Sequence, residues 1–409
     1  MEQFLSGAAS ANTVRGEALA WKRREAMLEL IETDPAKAIA MAVPYRWRLA
    51  LPPDITRHFE QWVDGRGALD VFVATDFEQG KTSTHREAQI SGKSYQVFSY
   101  GRRQAESSQT NIPLHGPALD GKMALLADSI RILEPDEAAA LEKERGAQPA
   151  EQICGVSGQP AQSRNQPVAA DIGGEIKHFC GVDHAWLVNQ RMVLAESGGS
   201  GSNTRAATTV NDAWTHGPKN LLYLRVNFPD DLTEPISEAQ AYDVMDDVNA
   251  FYTEGSYNLT SLMPTVTPLM TLPQTKAWYS TVGPGALIND AREAARHAGF
   301  ETANYNLDIV AFTAVPNYNF GGLAAVHGKS VWLQSTGVGV TCHELGHNYG
   351  LWHANLWNAI TNSSSIGPGT NWEYGNIFDT MGPAAGGNAQ FNAMHKNILD
   401  WLPAPAVHS

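Results

Sequence analysis

Hydrophobic positions recur at helical spacing near the start of the chain and alternate at strand spacing after it. An apolar stripe at helical spacing predicts a helical region over residues 15–42, and a proline pair predicts a second helix from residue 52 through Trp62. Alternating runs then predict strands, including residues 69–74 and 95–100. A segment rich in Ala, Glu and Leu predicts a short exposed helix over residues 134–145.

The second half of the chain shows longer apolar runs that alternate with amphipathic segments. The pattern predicts buried strands and helices in turn, at residues 220–228 (strand), 237–253 (helix), 287–297 (helix), 307–312 (strand), 328–334 (strand) and 340–349 (helix). Together with the N-terminal elements, this order predicts an α+β fold, with a mixed α/β N-terminal region and a C-terminal sheet packed by helices.

Two polar stretches separate these halves. Residues 146–167 are rich in Gln, Pro, Ser and Gly, and residues 197–202 contain only Gly and Ser. We therefore predict an N-terminal domain over residues 1–145, a linker region over 146–216 and a C-terminal domain over 217–409.

Composition narrows the classes of function. The 409 residues are 43% hydrophobic and 18% charged, as in an ordinary globular protein, and the formal net charge is −14. That charge argues against a nucleic-acid partner, which requires basic surface. The chain contains no apolar run of 18 residues, so no transmembrane segment is expected. Its first residues lack the basic start and apolar core of a signal peptide.

One motif carries the chemistry. His343, Glu344 and His347 form a His-Glu-x-x-His string in the last predicted helix, followed by Gly350 and a third histidine, His353. Residues four apart share a helix face, so the first two imidazoles can bind one metal ion, while the glycine turns the chain towards the third. Three protein nitrogens leave a fourth position open, which is typical of a catalytic zinc site.

The sequence segments around this motif resemble those of a known protein family. Residues 341–353 resemble the extended zinc-binding motif of the metzincin metalloproteases, and Met381 falls where those enzymes carry their Met-turn. Within the metzincins, residues 341–348, 373–382 and 391–402 are most similar to the gametolysin family. The resemblance covers the C-terminal half and implies a twisted mixed sheet with a zinc helix.

The resemblance implies a secreted zinc endopeptidase made as a zymogen, with residues 1–145 as a propeptide or a permanent accessory domain. His343, His347 and His353 would hold one catalytic zinc ion, and Glu344 would be the general base for the zinc-activated water. Protein or peptide substrates are expected, such as extracellular matrix or cell-wall glycoproteins; no residue pattern indicates a calcium site. The alternative is a non-catalytic, zinc-stabilised binding or adhesion protein of the same fold, against which the intact Glu344 argues.

The resemblance also suggests how substrate would bind. Residues 328–334 would form the edge strand that lines the cleft and pairs with a substrate chain, unless Trp332 serves only core packing. Residues 384–388 would help to wall the pocket for the residue after the cleaved bond.

The chain has three cysteines, too few for a disulfide scaffold. Cys154 and Cys180 both begin Cys-Gly-Val words that are similar to a cysteine switch, in which a thiolate blocks the catalytic zinc; a disulfide between them and two free thiols are the alternatives. Cys342 is expected to be a buried apolar residue. The remaining histidines are expected to be surface or locally satisfied residues; His178 and His184 lie on either side of Cys180, but their spacing matches no structural zinc pattern.

Overall fold

The computed structural model describes residues 11–76, 81–144, 152–163, 166–197, 214–360, 367–383, 389–402 and 406. These residues fall into two compact units. The first lies within Met1–Leu69 and Arg86–Ser202, and the second within Asp70–His85 and Asn203–Ser409. Strands β1 and β2, whose bounds are given below, contribute residues to both units.

The first unit combines short helices with antiparallel hairpins. Its elements are α1 (Ala11–Thr33), α2 (Pro35–Ala40), α3 (Tyr45–Ala50), α4 (Pro53–Thr56), β1 (Gln61–Asp76), β2 (Lys81–Ile90), β3 (Lys93–Ser99), β4 (Gln109–Leu119), β5 (Lys122–Leu125), β6 (Arg131–Ile132), α5 (Pro135–Glu144), β7 (Val168–Ile172), β8 (Glu175–Phe179) and α6 (Val182–Ser197).

Small apolar clusters hold this unit together. One joins Met27 and Ile31 of α1 to Leu119 and Ala124 of the β4–β5 hairpin. A separate sheet of β6, β7 and β8 packs its own cluster against α6. The predicted mixed α/β character of this region agrees with the structure.

Three details of the N-terminal predictions differ. The predicted helix over residues 15–42 is broken between α1 and α2, because Pro35 starts a new helix capped by the Asp34 side chain. The helix predicted from residue 52 ends at Thr56, and Trp62 belongs to β1. The predicted linker region over residues 146–216 contains β7, β8 and α6. Polar residues interrupt the apolar positions of these elements, so the sequence shows no clear periodicity there. The Gly/Ser stretch at residues 198–202 lies outside the described residues.

The second unit contains a mixed sheet covered by helices. Besides residues 70–76 of β1 and 81–85 of β2, its elements are β9 (Gly217–Asn227), α7 (Glu238–Gly255), β10 (Thr260–Val266), β11 (Met270–Thr271), α8 (Lys276–Val282), α9 (Pro284–His297), β12 (Leu307–Ala311), β13 (Gly322–Ala325), β14 (Ser330–Leu333), α10 (Val338–Asn348), β15 (Leu356–Ala359), β16 (Gly369–Trp372) and α11 (Ala393–Ile398). Helix α7 starts at a capping box between Ser237 and Gln240.

The strands of this sheet follow the order β10-β9-β12-β14-β13. The first four are parallel, and β13 runs antiparallel to β14. Strand β9 is apolar on both faces: Leu221 and Tyr223 pack in the cluster with α7 and α10, and Leu222 and Leu224 pack in the cluster with α9. Continuous apolar runs are typical of strands covered on both faces. The strands of the second unit are therefore clearer in the sequence than those of the first unit.

The strand predicted to line the cleft is not an edge. Residues 330–333 form β14, which pairs with β12 on one side and β13 on the other. Trp332 is 1% exposed and donates its indole N–H to the carbonyl of Pro284, 2.9 Å away, so it serves core packing. Its antiparallel neighbour β13 consists of Gly, Leu and two Ala residues, and glycine and alanine give little strand signal in a sequence. No helix among the described residues is both long enough and apolar enough to cross a membrane.

Candidate metal centre

Helix α10 is buried along almost its whole length. It begins after Gly337, whose carbonyl accepts hydrogen bonds from the amide and the hydroxyl of Thr341. At its end, the Asn348 side chain donates to the carbonyls of Ala325 and Ser330, at 3.0 and 3.1 Å. These bonds fix the helix against the β13–β14 hairpin, which sets the position of every side chain it carries.

His343 and His347 point to the same side of α10, as their spacing predicts. The Nδ1–H of His343 donates to the carbonyl of Thr380, and that of His347 to the carbonyl of Leu351, each over 2.8 Å. Because Nδ1 carries the proton, Nε2 of each ring is the unprotonated nitrogen, which is the form that binds a metal ion.

His353 reaches the same place because the chain turns after the helix. Gly350 has φ +108°, a conformation that residues with a Cβ rarely adopt, and its amide bonds to the carbonyl of His347. The His353 side chain is 3% exposed, and its Nδ1 lies 3.0 Å from Oε1 of Glu373. The third imidazole is therefore oriented in the same way as the other two.

The three rings form a nearly equilateral triangle. Their centroids lie 4.9 to 5.3 Å apart, and one nitrogen from each lies within 4.8 Å of the other two. Nε2 of His347 is fully buried and has no hydrogen-bond partner among the described residues. Three convergent imidazoles with one orphaned nitrogen fit a metal ion of the zinc class.

Burial keeps these histidines neutral. It lowers the pKa of His343 to about 3, with a further contribution from the neighbouring His353, and it lowers the pKa of His347 and His353 as well. Neutral imidazole is the form that binds a metal ion.

The lowered pKa values predict acid sensitivity of the metal-free protein. Between the folded pKa of these groups and about 6.5, the unfolded chain holds more protons, so the free energy of unfolding falls as the pH falls. We expect the urea midpoint of chelator-treated protein to drop between pH 7.5 and 5.5, above the range where carboxylates titrate. Replacing the exposed His297 with Gln should leave this dependence of the urea midpoint on pH unchanged. A urea midpoint that stays the same between pH 7.5 and 5.5 would contradict the prediction.

Glu344 lies beside the histidines in a confined position. It is fully buried, and Gly322 of β13 lies directly against its carboxylate. A Cβ at Gly322 would overlap Oε1 and lie 2.6 Å from Cδ of Glu344. Only glycine therefore permits this close approach of strand and carboxylate.

Met381 lies beneath the helix. It is fully buried, and a Cβ at Gly346 would lie 2.5 Å from its Sδ atom. The turn that carries it is closed by Asp379, whose carboxylate accepts from the amides of Met381 and Asn392, each over 2.7 Å. The same turn presents the carbonyl of Thr380 to His343, so it orients a ring as well as supporting the helix.

Two residues of the centre were not found from the sequence. Glu373 orients His353, and the ring of Tyr374 lies against the same imidazole with centroids 4.0 Å apart. Tyr374 has φ +58°, which is rare for a residue with a Cβ and is common at functional sites. Both lie within the segment 373–382 that resembles the gametolysin family. Neither lies at a fixed distance in the sequence from the zinc-binding motif that would mark it as part of the site.

The hydrogen bond from His353 to Glu373 predicts a contribution to metal affinity. Replacing Glu373 with Ala removes the group that fixes the His353 ring, and loss of such a partner typically weakens metal binding roughly 10- to 100-fold. Competition with a chromogenic zinc chelator should measure this, with Glu254→Ala, an exposed residue of α7, as the matched control. Equal affinities of the two variants would contradict the role assigned to Glu373.

The cysteines fall in different places. Cys342 is buried in the core of the second unit, as predicted, and burial strongly raises its pKa. Cys154 and Cys180 are free and buried together in the first unit. Although burial opposes it, hydrogen bonds from Ser157, His184 and the Cys180 backbone lower the pKa of Cys154 to about 5. The disulfide has not formed in this structure, and the cysteine switch stays a prediction.

Several histidines are locally satisfied, as expected. His115 bonds through Nδ1 to Asp64 over 2.9 Å, and that carboxylate also binds Arg131. Although Asp64, His115 and Asp171 lie close enough to hold a metal ion, Arg131 already binds both carboxylate oxygens of Asp64. Nδ1 of His395 lies 2.9 Å from Oδ2 of Asp379. The predicted pocket wall at residues 384–388 lies outside the described residues.

Comparison with known proteins places this centre in context. The family model described as gametolysin peptidase M11 matches residues 239–408. Among solved structures, the crystal structure of metalloproteinase-II from Bacteroides fragilis aligns with a TM-score of 0.30 and 10% identity, covering 79% of this chain and 88% of that chain. No curated protein matches the sequence.

Proposed function

We propose that this chain, a metallopeptidase related to gametolysin, is a zinc-dependent endopeptidase of the metzincin type that cuts protein substrates. The observation that carries the proposal is the triangle of His343, His347 and His353, each with Nδ1 facing an oxygen, beside the buried carboxylate of Glu344. The three imidazoles would hold zinc, and Met381 would form the floor beneath them.

Zinc, when bound, supplies a Lewis acid that acidifies water and polarises a carbonyl. Glu344 is the general base: it accepts the proton of the attacking water and passes it to the departing amine. Gly322 confines the carboxylate, so that it does not swing away from the reacting atoms. The buried histidines stay neutral and hold the site fixed while charge develops.

A substrate chain would bind along β13. This strand is antiparallel to β14 and contacts Glu344 through Gly322, so a peptide paired to its outer edge would pass beside the base. In this structure, residues 72–75 of the chain itself hold that edge, in register from Phe72 with Ala325 to Thr75 with Gly322. The protein is therefore proposed to be made as a latent zymogen that must release this segment.

Metal content and cleavage together test the function. Purified protein should contain zinc, and after limited proteolysis it should cleave a denatured protein substrate in a reaction that a zinc chelator stops and added zinc restores. His347→Ala should lose both the metal of this centre and the activity. Zinc-loaded, nicked protein that cleaves nothing would instead favour the non-catalytic binding protein considered from the sequence.

Latency has its own test. Activity should be low in the intact chain and should rise when a protease cuts near residues 146–167 or 197–202, because sequences rich in small polar residues are preferred sites of nicking. Full activity of the uncut chain would contradict the zymogen proposal while leaving the peptidase proposal intact. Secretion, and matrix or cell-wall glycoproteins as substrates, remain predictions.

A further inference from the structure

A second cluster of metal-binding side chains lies in the first unit. Cys180 follows β8, and His184 lies in the first turn of α6. Cys154 comes from a loop 26 residues earlier in the sequence. One ligand atom from each of the three lies within 4.8 Å of the others.

The distances fit a shared ion. Nδ1 of His184 lies 3.3 Å from Sγ of Cys154 and 3.3 Å from Sγ of Cys180. Nδ1 carries at most one proton, so it cannot point an N–H group well at both sulfurs. With Zn–S near 2.3 Å and Zn–N near 2.0–2.1 Å, sulfur and nitrogen ligands of one tetrahedral zinc lie roughly 3.5 Å apart. The observed separation is close to that value.

The loop that carries Cys154 holds this thiol in a fixed position. It is closed by hydrogen bonds from the Cys154 amide to the carbonyl of Gln159 and from the Gly158 amide to the carbonyl of Cys154. The Ser157 hydroxyl of the same loop lies 3.7 Å from Sγ of Cys180, where it can donate to that sulfur. Donors to a ligand sulfur are the kind of outer contact that orients and stabilises metal-bound thiolates.

The small apolar core around these residues gives a structural reason for a metal ion. The sheet of β6, β7 and β8 packs against α6 through a small cluster that includes Ile130, Ala170, Phe179 and both cysteines. A core of this size contributes little stability, and small modules commonly rely on a structural metal or a disulfide instead. The two cysteines are not bonded to each other in this structure.

We propose that Cys154, Cys180 and His184 bind a second zinc ion, separate from the peptidase centre, that joins the Cys154 loop to the start of α6. Thiolate and imidazole are ligand types that zinc binds in proteins, and these residues supply three of its four ligands. The site opens towards solvent at Ser157, which is where the fourth ligand would bind. From the sequence, Cys180 and His184 lie close together but match no zinc pattern, because Cys154 comes from 26 residues earlier in the chain.

Cobalt substitution of the intact chain tests the site directly. Co²⁺ bound by thiolates absorbs in the near ultraviolet through sulfur-to-metal charge transfer, whereas a site of three histidines gives no such band. We expect two zinc ions per chain by elemental analysis, and two Co²⁺ ions after exchange, with a thiolate band. His347→Ala should reduce the count by one ion and leave the band unchanged.

Variants of the second site should give the opposite pattern. Cys154→Ser and His184→Ala should each lose one ion and the thiolate band, while the metal of the His343 centre remains. His178→Gln is the matched control, because this half-buried histidine of the same module bonds to Glu142 and should keep both ions. Failure of the peptidase centre to bind metal would sink the proposed function and leave this proposal standing.

Thiol reactivity of the wild-type protein gives a readout that needs no variant. Cys154 and Cys180 should resist alkylation in the zinc-loaded chain and become reactive when a chelator removes the metal. A single zinc ion that disappears in His347→Ala, with no thiolate band, would overturn the proposal. So would two cysteines that become reactive only after reduction, since that result identifies a disulfide.

Discussion

Glu344→Gln is expected to abolish most peptidase activity while the zinc content stays unchanged. Glutamine has the same shape as glutamate but cannot accept a proton, so the imidazole triangle remains and the general base is lost. General acid–base catalysis typically contributes about 10²- to 10⁴-fold to the rate, and kcat should fall by that factor with little change in KM. Cleavage of a fluorogenic peptide by the nicked protein, with zinc measured on the same samples, checks this.

Glu254→Gln is the matched control for this substitution. Glu254 lies at the exposed end of α7, so removing its charge should alter neither metal content nor rate. If Glu344→Gln retained full activity at equal zinc content, another group would have to supply the base. If it lost zinc, Glu344 would have a structural role that its position beside Gly322 does not suggest.

The triangle of His343, His347 and His353 could be predicted because its information is local. His343 and His347 are four residues apart on one helix, and Gly350 lies where the chain must turn to bring in His353. These are consequences of helix geometry that require no knowledge of the rest of the fold. The relationship to gametolysin, recognised from words within the same region, is confirmed by the family match over residues 239–408.

The supporting residues could not be predicted because their contacts are distant in sequence. Glu373 meets His353 across 20 residues, and Gly322 meets Glu344 across a strand, a loop and a helix. Strand β13 consists mostly of Gly and Ala, which have low strand propensity, whereas its neighbour β14 contains Val and Trp. The sequence therefore points to β14 as the strand that lines the cleft. Such residues become visible only when the strand order is known.

The N-terminal half was harder for a related reason. Its apolar clusters are small and draw single residues from several elements, as in the contact between Met27 of α1 and Leu119 of β4. Short strands and capped helices then depend on tertiary packing more than on local pattern. The same dispersion hid the contact of Cys154 with His184, because the loop and the helix that carry them were both assigned to a linker.

Gly322→Ala is the second prediction with a large expected effect. The new methyl group would overlap the Glu344 carboxylate, so either the base or strand β13 must shift. A displacement of about 1 Å at a reacting group can cost on the order of 10²-fold in rate. We expect kcat to fall at least that far, although Glu344 and all three histidines are still present.

Gly337→Ala separates this effect from a general loss of glycine flexibility. Gly337 precedes the same helix, has φ −74°, and a Cβ there would meet nothing within 4 Å, so activity and stability should stay close to those of the unmodified protein. Zinc content of Gly322→Ala should also be unchanged, because Gly322 contacts the base and not a ligand. Normal activity of Gly322→Ala would mean that β13 yields without moving Glu344, and the strand would then not be what holds the base in place.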